Sequence, residues 1–435
     1  MRILFPRIIV LGFFLLVAPR LRAQAPAQAN SAKIASITVT GEHKVPADQI
    51  VSASGLKPGD VVSAHQIQEV ADRLSALGLF SAVNYRYSSK GDAIALEFQV
   101  READTVPLWF DNFPWFTDAE LGDAIRQKVG LFAGESPGSG AMVDQISEAL
   151  TQLLVTQKIP GQITHQLVAP PSGDGMVLEF RVEGPDVKVQ SVQFGDPIAA
   201  DSEKLKDRVS DIKGQPYSRF AIATFEIEQI RPLYAAQGFL HAKIGPSEVK
   251  LPASSGATAQ GVDVVIPIAP GSVYTWKGVS WNGDVATFSS TLDGLVPLKP
   301  GDLADGMKIE DTWRKVEADY QRRGYLDAKL DAQPHFDEAS HQVSYTVSVI
   351  EGMQYRMGDM VITGLSLDAE KALRHAWQLA PGQVFNDAYF ENFIKVLAKP
   401  SPDVFGEIPI HYTDFGHWLR PNADRHTMDV LFDFK

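Results

Sequence analysis

The chain has 435 residues, of which 45% are hydrophobic and 21% are charged. This balance is typical of folded protein and excludes a wholly disordered chain, and the length suffices for three or more domains. The formal net charge of −13 argues against a nucleic-acid partner, because an acidic surface repels a phosphate backbone. The lack of cysteine excludes disulfides, thiolate nucleophiles and thiolate metal ligands.

The N-terminus has the pattern of a secretory signal peptide. Arg2 and Arg7 precede an apolar segment of 11 residues, 8–18, and Ala23 is a small residue before the expected cleavage site. A membrane-spanning helix needs about 20 apolar residues, so this segment is too short. We therefore predict export and a cleaved peptide of residues 1–23; the alternative is an uncleaved anchor. Cleavage removes four arginines and no acidic residue, which lowers the formal net charge to −17.

Three segments share a spacing of 18 residues between two glycines. The first glycine ends a short apolar run, and the second belongs to a Pro-Gly pair, which fits the central positions of a type II turn. The glycine pairs are Gly41 and Gly59, Gly283 and Gly301, and Gly364 and Gly382. This spacing predicts that the chain repeats one structural unit.

An apolar stripe with helical spacing follows the turn and ends at another glycine, which can adopt the left-handed cap conformation. The stripes are Ile67, Val70, Leu74 and Leu77 in the first copy, Ala223, Ile227, Ile230 and Tyr234 in the third, and Ile309, Trp313, Val316 and Tyr320 in the fourth. The glycines are Gly78, Gly238 and Gly324. Two β-type runs come next, such as residues 242–249 and 262–268 in the third copy, or 407–413 and 427–434 in the looser fifth copy.

The repeat predicts an α+β fold of tandem modules, each with a first strand, a turn, a helix and two further strands. We number the modules 1 to 5 along the chain. The predicted bounds are 34–102, 103–184, 185–270, 271–352 and 353–435. Short joints favour a semi-rigid string over freely jointed domains.

The order of strand, glycine, Leu-x-Pro-Gly turn, helix, glycine and two strands resembles the POTRA (polypeptide-transport-associated) domain, and residues 351–355 (Glu-Gly-Met-Gln-Tyr) also fit. The resemblance covers residues 34–435 and implies α+β modules of β-α-α-β-β order, each a three-stranded mixed sheet covered by two helices, with the strands ordered first-third-second. It implies a periplasmic protein, associated with the outer membrane, that binds unfolded or extended outer-membrane polypeptides and accessory lipoproteins, with no catalytic residue and no cofactor. The fifth module extends to Lys435, and a separately encoded β-barrel is a candidate partner beside the accessory lipoproteins.

Two candidate polypeptide-binding sites follow. With the strand order first-third-second, the second strand of each module is an edge to which an extended client can add by main-chain hydrogen bonds. We predict such binding at residues 242–249 and 328–335, with Ala242, Lys243, Ile244, Ala328, Lys329 and Leu330 as the contact residues. The aromatic run 108–116 offers the second site: Trp109 and Trp115 form either an exposed platform or part of the core and module packing.

Other chemistry is weakly indicated. The Gly138-Ser139-Gly140 segment lacks the lysine of a phosphate-binding loop and the strand context of a nucleophile elbow, and is predicted to be a polar loop. His411, His417 and His426, with Asp414, Asp424 and Asp429, are predicted to be surface residues of the last hairpin; zinc or nickel binding is the alternative. The sequence thus favours a polypeptide-binding protein of outer-membrane assembly or transport. An envelope scaffold or division protein is the alternative, and an enzyme is disfavoured.

Overall fold

The computed structural model describes residues 31–435 apart from 42–43, 91–92, 172, 174, 253–259, 284–288 and 400–409. The predicted signal peptide lies outside the described residues. The chain divides into two compact units. The first holds the chain up to Phe110 with Phe116–Ala169 and Gly175–Gly184, and the second holds Asp111–Trp115, Pro170–Asp174 and Pro185–Lys435.

The first unit contains two sheets, one for each of modules 1 and 2. In each sheet the first and third main strands are parallel, the second pairs antiparallel at one edge, and a short extra strand extends the other edge. The strand orders are β2-β1-β4-β3 and β6-β5-β8-β7. The elements are β1 (Ser31–Thr40), α1 (Ala47–Ser54), β2 (Val61–Ser63), α2 (Ala64–Ala76), β3 (Phe80–Lys90), β4 (Ala93–Glu102), β5 (Val106–Phe110), α3 (Asp118–Lys128), β6 (Glu135–Ser136), α4 (Ala141–Thr156), β7 (Gln162–Val168) and β8 (Val177–Glu183).

The second unit begins with module 3, whose main sheet has the order β11-β12-β9, beside a two-stranded ladder of β10 and β13. Its second helix is interrupted by the π-helical turn Glu226–Ile230. The elements are β9 (Lys188–Phe194), α5 (Pro197–Ala200), α6 (Glu203–Ile212), α7 (Arg219–Phe225), α8 (Arg231–Ala236), β10 (Lys243–Ile244), β11 (Glu248–Lys250), β12 (Gly261–Ile266) and β13 (Ile268–Ala269).

Modules 4 and 5 complete the second unit with sheets of order β14-β16-β15 and β17-β19-β18. Each module has two helices and its own buried apolar residues. The elements are β14 (Thr275–Gly283), α9 (Ser289–Asp293), α10 (Gly306–Arg322), β15 (Lys329–Asp337), β16 (Gln342–Ile350), β17 (Arg356–Thr363), α11 (Leu367–Ala376), α12 (Asp387–Ala398), β18 (Phe415–Asn422) and β19 (Thr427–Phe434). The predicted mixed α+β fold is confirmed.

The Pro-Gly turns predicted from the 18-residue spacing are confirmed. In each turn the glycine has positive φ, and the residue after it donates to the carbonyl three residues back, from Asp60 to Lys57 (3.1 Å), Asp302 to Lys299 (2.9 Å) and Gln383 to Ala380 (3.1 Å). The same glycines donate to the first strand of their module, as Gly301 does to Trp276 (2.8 Å). A type II turn therefore ties the segment before the second helix of each of these modules to the first strand of the same module.

The helical stripe predicted for module 3 is partly wrong. The buried residues are Ile222, Phe225, Ile230 and Tyr234, whereas Ala223 and Ile227 are only half-buried. Pro232 lies in the first turn of α8 and has no N–H to donate to the carbonyl four residues back. The wider π-helical turn directly before it shifts the buried face. In the stripes of modules 1 and 4, Ile67, Val70, Leu74, Ile309, Val316 and Tyr320 are buried as predicted, whereas Leu77 and Trp313 are half-buried.

Candidate functional site

The second strand of each module lies at the edge of its sheet, as predicted. In modules 1, 2, 4 and 5 these edge strands are β3, β7, β15 and β18. Within the described parts of the chain, no further strand pairs with the outer side of any of the four. An edge strand presents a row of N–H and C=O groups that another extended chain can pair with.

Hydrogen bonds at the end of β18 show which of its backbone groups face outward. Asp414 and Lys435 exchange both main-chain hydrogen bonds, at 3.0 and 3.4 Å, so the Asp414 backbone faces β19. Because orientation alternates along an antiparallel pair, Phe415, His417 and Leu419 direct their N–H and C=O groups away from the sheet. Pro421 occupies the next outward position, where its missing N–H costs no ladder bond.

The same alternation of backbone direction identifies the outward residues of the edge strand β15. Pro334 lies within it, opposite Tyr345, and a proline inside a strand places its nitrogen on the open side. Alternation then directs the backbones of Leu330, Ala332 and Phe336 outward and that of Lys329 toward β16. Of the predicted contact residues here, Leu330 is an outward position and Lys329 is inward. Ala328 precedes the strand, where its N–H donates to the Tyr325 carbonyl (3.3 Å).

The predicted continuous strand 242–249 is wrong. Only Lys243–Ile244 and Glu248–Lys250 are strands, separated by Gly245, Pro246 and Ser247, and Ala242 lies in a turn. Gly245 donates to the Pro267 carbonyl (2.8 Å), so alternation makes Lys243 inward and Ile244 outward. The ladder with β13 stops after this bond, and pairing resumes only at Glu248, opposite Val265 of β12. This edge is therefore much shorter than the sequence suggested.

The interruption is anchored to the π-helical turn of the same module. The Ser247 hydroxyl donates to the carboxylate of Glu226, the first residue of that turn. Burial raises the pKa of the Glu226 carboxyl, an effect that the Ser247 hydrogen bond opposes. The irregular helix and the interrupted edge therefore support each other.

Neither tryptophan of the predicted aromatic platform is exposed. Trp109 and Trp115 are half-buried, and Trp115 packs against the buried residues of module 3. The structure thus supports the packing interpretation of residues 108–116 over an exposed platform. The sequence analysis did not single out Asp111 within this run. Asp111 is buried, and its carboxylate accepts hydrogen bonds from the Phe220 N–H (2.7 Å) and the Ser218 hydroxyl (2.9 Å). A single acid within an aromatic run is the signal that could have identified it.

In module 5 the edge strand lies later than predicted. The sequence placed it at 407–413, of which 407–409 lie outside the described residues, whereas the structure has β18 at Phe415–Asn422. Gly416 and Pro421 obscured the β pattern, yet an edge tolerates both. As a result the exposed Trp418 was overlooked.

The residues of the predicted alternative metal site are not brought together in the part of the chain that the structure describes. Among the described residues no three histidines or carboxylates are close enough to hold a metal ion, and this includes His411, His417 and His426. No helix in the described ranges has the length and hydropathy needed to cross a membrane. Gly138-Ser139-Gly140 forms a bend before α4, consistent with the predicted loop.

Comparison with known proteins finds a family match for part of the chain. Residues 32–103 and 274–352 match the POTRA family, described as a surface antigen variable number repeat. These segments overlap modules 1 and 4. The predicted bounds of the five modules remain a prediction.

Two curated relatives carry related names. A protein of Treponema pallidum, named as an outer membrane protein assembly factor, is 21% identical over 264 residues, covering 60% of this chain and 30% of the relative. The outer membrane protein assembly factor BamA of Nitratidesulfovibrio vulgaris is 23% identical over 296 residues, covering 64% and 37%. The chain thus spans about a third of the length of these relatives. The crystal structure of Haemophilus influenzae BamA POTRA3-5 aligns with a TM-score of 0.44 and 23% identity, covering 58% of this chain and 99% of that one.

Proposed function

Because residues 32–103 and 274–352 match the POTRA family, we propose that this chain is a periplasmic polypeptide-binding protein of outer-membrane protein assembly. It binds extended clients or assembly partners by adding their strands to its sheet edges. The observation that carries this proposal is the edge position of the second strand in modules 1, 2, 4 and 5. The names of the two relatives support the assembly role.

Main-chain pairing suits a protein with many clients, because backbone hydrogen bonds are available to any sequence except proline. Each edge offers only a short row of residues with outward backbone groups, such as the three of β18. We therefore expect a single edge to bind a client weakly. Several edges on one chain raise the effective concentration for a second contact and strengthen binding without a large site.

The edges differ in how well they accept a strand. β18 has the outward series Phe415, His417 and Leu419, in which, among the described residues, only the first N–H has a side-chain acceptor, the Asp414 carboxylate (2.9 Å), whereas Pro334 removes one donor from the centre of the outward series of β15. Edge prolines are a common protection against uncontrolled strand pairing. We infer that β15 accepts clients less readily than its length suggests.

The proposal is tested by titrating the chain lacking residues 1–23 with a urea-unfolded outer-membrane β-barrel protein diluted into buffer. Binding is measured by fluorescence anisotropy, with the folded, detergent-solubilised barrel as the control. We expect binding of the unfolded form only, and a weak dependence on ionic strength, because main-chain bonds are not screened by salt.

Equal binding of the folded barrel, or none of the unfolded one, contradicts the proposal. A steep loss of binding between low and physiological salt would instead indicate charge-mediated docking of a basic partner to this acidic chain.

A further inference from the structure

Trp418 on β18 forms an exposed aromatic surface directly beside an open sheet edge. Its side chain is 56% exposed, although it is large and apolar. The six-membered ring of the indole lies over Gly416, where an added Cβ would collide with Cη2 and come within 3.0 Å of Cζ2 and Cζ3. The missing side chain at residue 416 therefore lets the indole lie flat on its own strand.

An apolar row continues from Trp418 across the sheet. Leu431 of β19 lies opposite Trp418, and Val361 of β17 lies opposite Leu431. Val361 is 38% exposed. All three side chains lie on the face opposite the helices, since the alternate residues Met428, Val430 and Phe432 are buried in the core of module 5. The row ends at the edge where the backbone is open.

The geometry of the edge determines what meets the indole. A strand added to β18 exchanges hydrogen bonds with Phe415, His417 and Leu419, the outward residues. The client residue opposite Trp418 then falls in a pair without hydrogen bonds, where the side chains approach most closely. Its side chain lies on the same face as the indole and extends the apolar row.

We propose that Trp418 is a specificity determinant of the β18 edge, which selects extended polypeptide segments that carry a large apolar residue at the position opposite the indole. The inference rests on the proposed function and adds the class of client. Segments with apolar residues at every second position fit, which is the pattern of transmembrane β-strands. A second copy of the chain is a poor occupant, because each copy carries a formal net charge of −13.

The test uses two peptides of about ten residues, the length of a transmembrane strand, each with lysine at both ends. The leucine peptide alternates leucine with threonine, and the threonine peptide contains threonine at every position between the lysines. Site affinity is read as the peptide concentration that half-protects the outward amides of His417 and Leu419 from hydrogen exchange, in the chain without residues 1–23 at physiological salt. Trp418→Ala should weaken binding of the leucine peptide about fivefold and leave the threonine peptide unchanged, as expected for loss of a cross-strand aromatic pair.

Two further variants separate the indole from the backbone. Gly416→Ala keeps the edge open but displaces the indole, so it should weaken leucine-peptide binding as Trp418→Ala does. Leu419→Pro removes an outward donor and should weaken both peptides. Leu367→Ala is the control, since Leu367 is 76% exposed at the start of α11 in the same module.

The outcomes also distinguish this inference from the proposed function. Equal discrimination between the peptides by the wild type and Trp418→Ala overturns the inference, and the proposed function stands if unfolded clients still bind other edges. If neither peptide protects β18 in the wild type and unfolded barrels do not bind, both fail. If Trp418→Ala abolishes concentration-dependent self-association and leaves peptide binding unchanged, the surface is a contact between copies and the inference is wrong.

Discussion

The hydroxyl of Tyr355 donates a 2.7 Å hydrogen bond to the carboxylate of Asp327, linking the start of module 5 to the loop after α10 of module 4. The Tyr355 N–H also donates to the carbonyl of Gly324 (2.8 Å), the glycine that follows α10. The same main-chain bond joins modules 3 and 4, from Tyr274 to Gly238 (2.9 Å). The helix-ending glycine therefore has a second role as the docking point for the next module.

The first prediction concerns the close approach at this joint. Gly324 and Gly382 have φ of +83° and +84°, so alanine at either position incurs similar backbone strain, of about 1–2 kcal/mol. At Gly324 a Cβ would also lie 2.7 Å from the Tyr355 carbonyl oxygen, whereas at Gly382 nothing lies within 4 Å. We expect Gly324→Ala to lower the melting temperature, measured by calorimetry, more than Gly382→Ala does. Equal decreases in melting temperature would mean that the joint accommodates the added methyl group without a clash.

The second prediction concerns alkaline pH. The hydroxyl of Tyr274 donates to Glu338 (2.6 Å), and this hydrogen bond, with burial and the nearby charge, raises the pKa of Tyr274 from 10.0 to about 12. A raised pKa favours the neutral phenol in the folded state, so the stabilisation is complete below pH 10 and is lost as pH rises to about 12.

The comparison is between the wild type and Tyr274→Phe, whose other tyrosines are identical. Their difference in melting temperature should be constant below pH 10 and shrink between pH 10 and 12. A difference that stays constant over this range would show that the Tyr274 hydroxyl does not contribute to stability through Glu338.

The third prediction is a gain of binding. Pro334→Ala restores an N–H at the centre of the outward series of β15, so unfolded clients should bind this edge more tightly, by about 0.5–1.5 kcal/mol for one added hydrogen bond. Gln333→Ala, at the adjacent inward position, is the control and should not alter affinity. Anisotropy titration measures both. Unchanged affinity in Pro334→Ala would exclude β15 as a client edge.

The fourth prediction concerns Asp111. Its carboxylate accepts hydrogen bonds from the Phe220 N–H and the Ser218 hydroxyl at the start of α7. Asp111→Ala leaves both donors without this acceptor and should destabilise the second unit by about 2 kcal/mol, the scale of hydrogen bonds to a charged group. Asp144→Ala, an exposed acid in the first turn of α4, should change stability little. The free energy of unfolding is measured with denaturant. Equal changes in the two variants would contradict the stabilising role of the Asp111 hydrogen bonds.

The sequence predicted those features that depend on local chemistry. Pro-Gly turns and helix-ending glycines have narrow backbone requirements, so their spacing located the repeat, whereas the strand order was implied by the resemblance to the POTRA domain. The features that it missed depend on tertiary context. Pro232 could have ended a helix but is accommodated by a π-helical turn, and Gly416 and Pro421 are tolerated only because β18 is an edge. The outward direction of each edge residue required the hydrogen-bond register.

The most direct test of strand addition is residue-resolved hydrogen exchange with and without an unfolded outer-membrane client. The amides of Leu330 and Ala332 on β15, and of His417 and Leu419 on β18, should exchange fast in the free chain and slowly in the complex. Those of Asp331 and Trp418, which face the neighbouring strand, should be protected in both states. Tight client binding that leaves the outward amides of every edge strand unprotected would contradict the account.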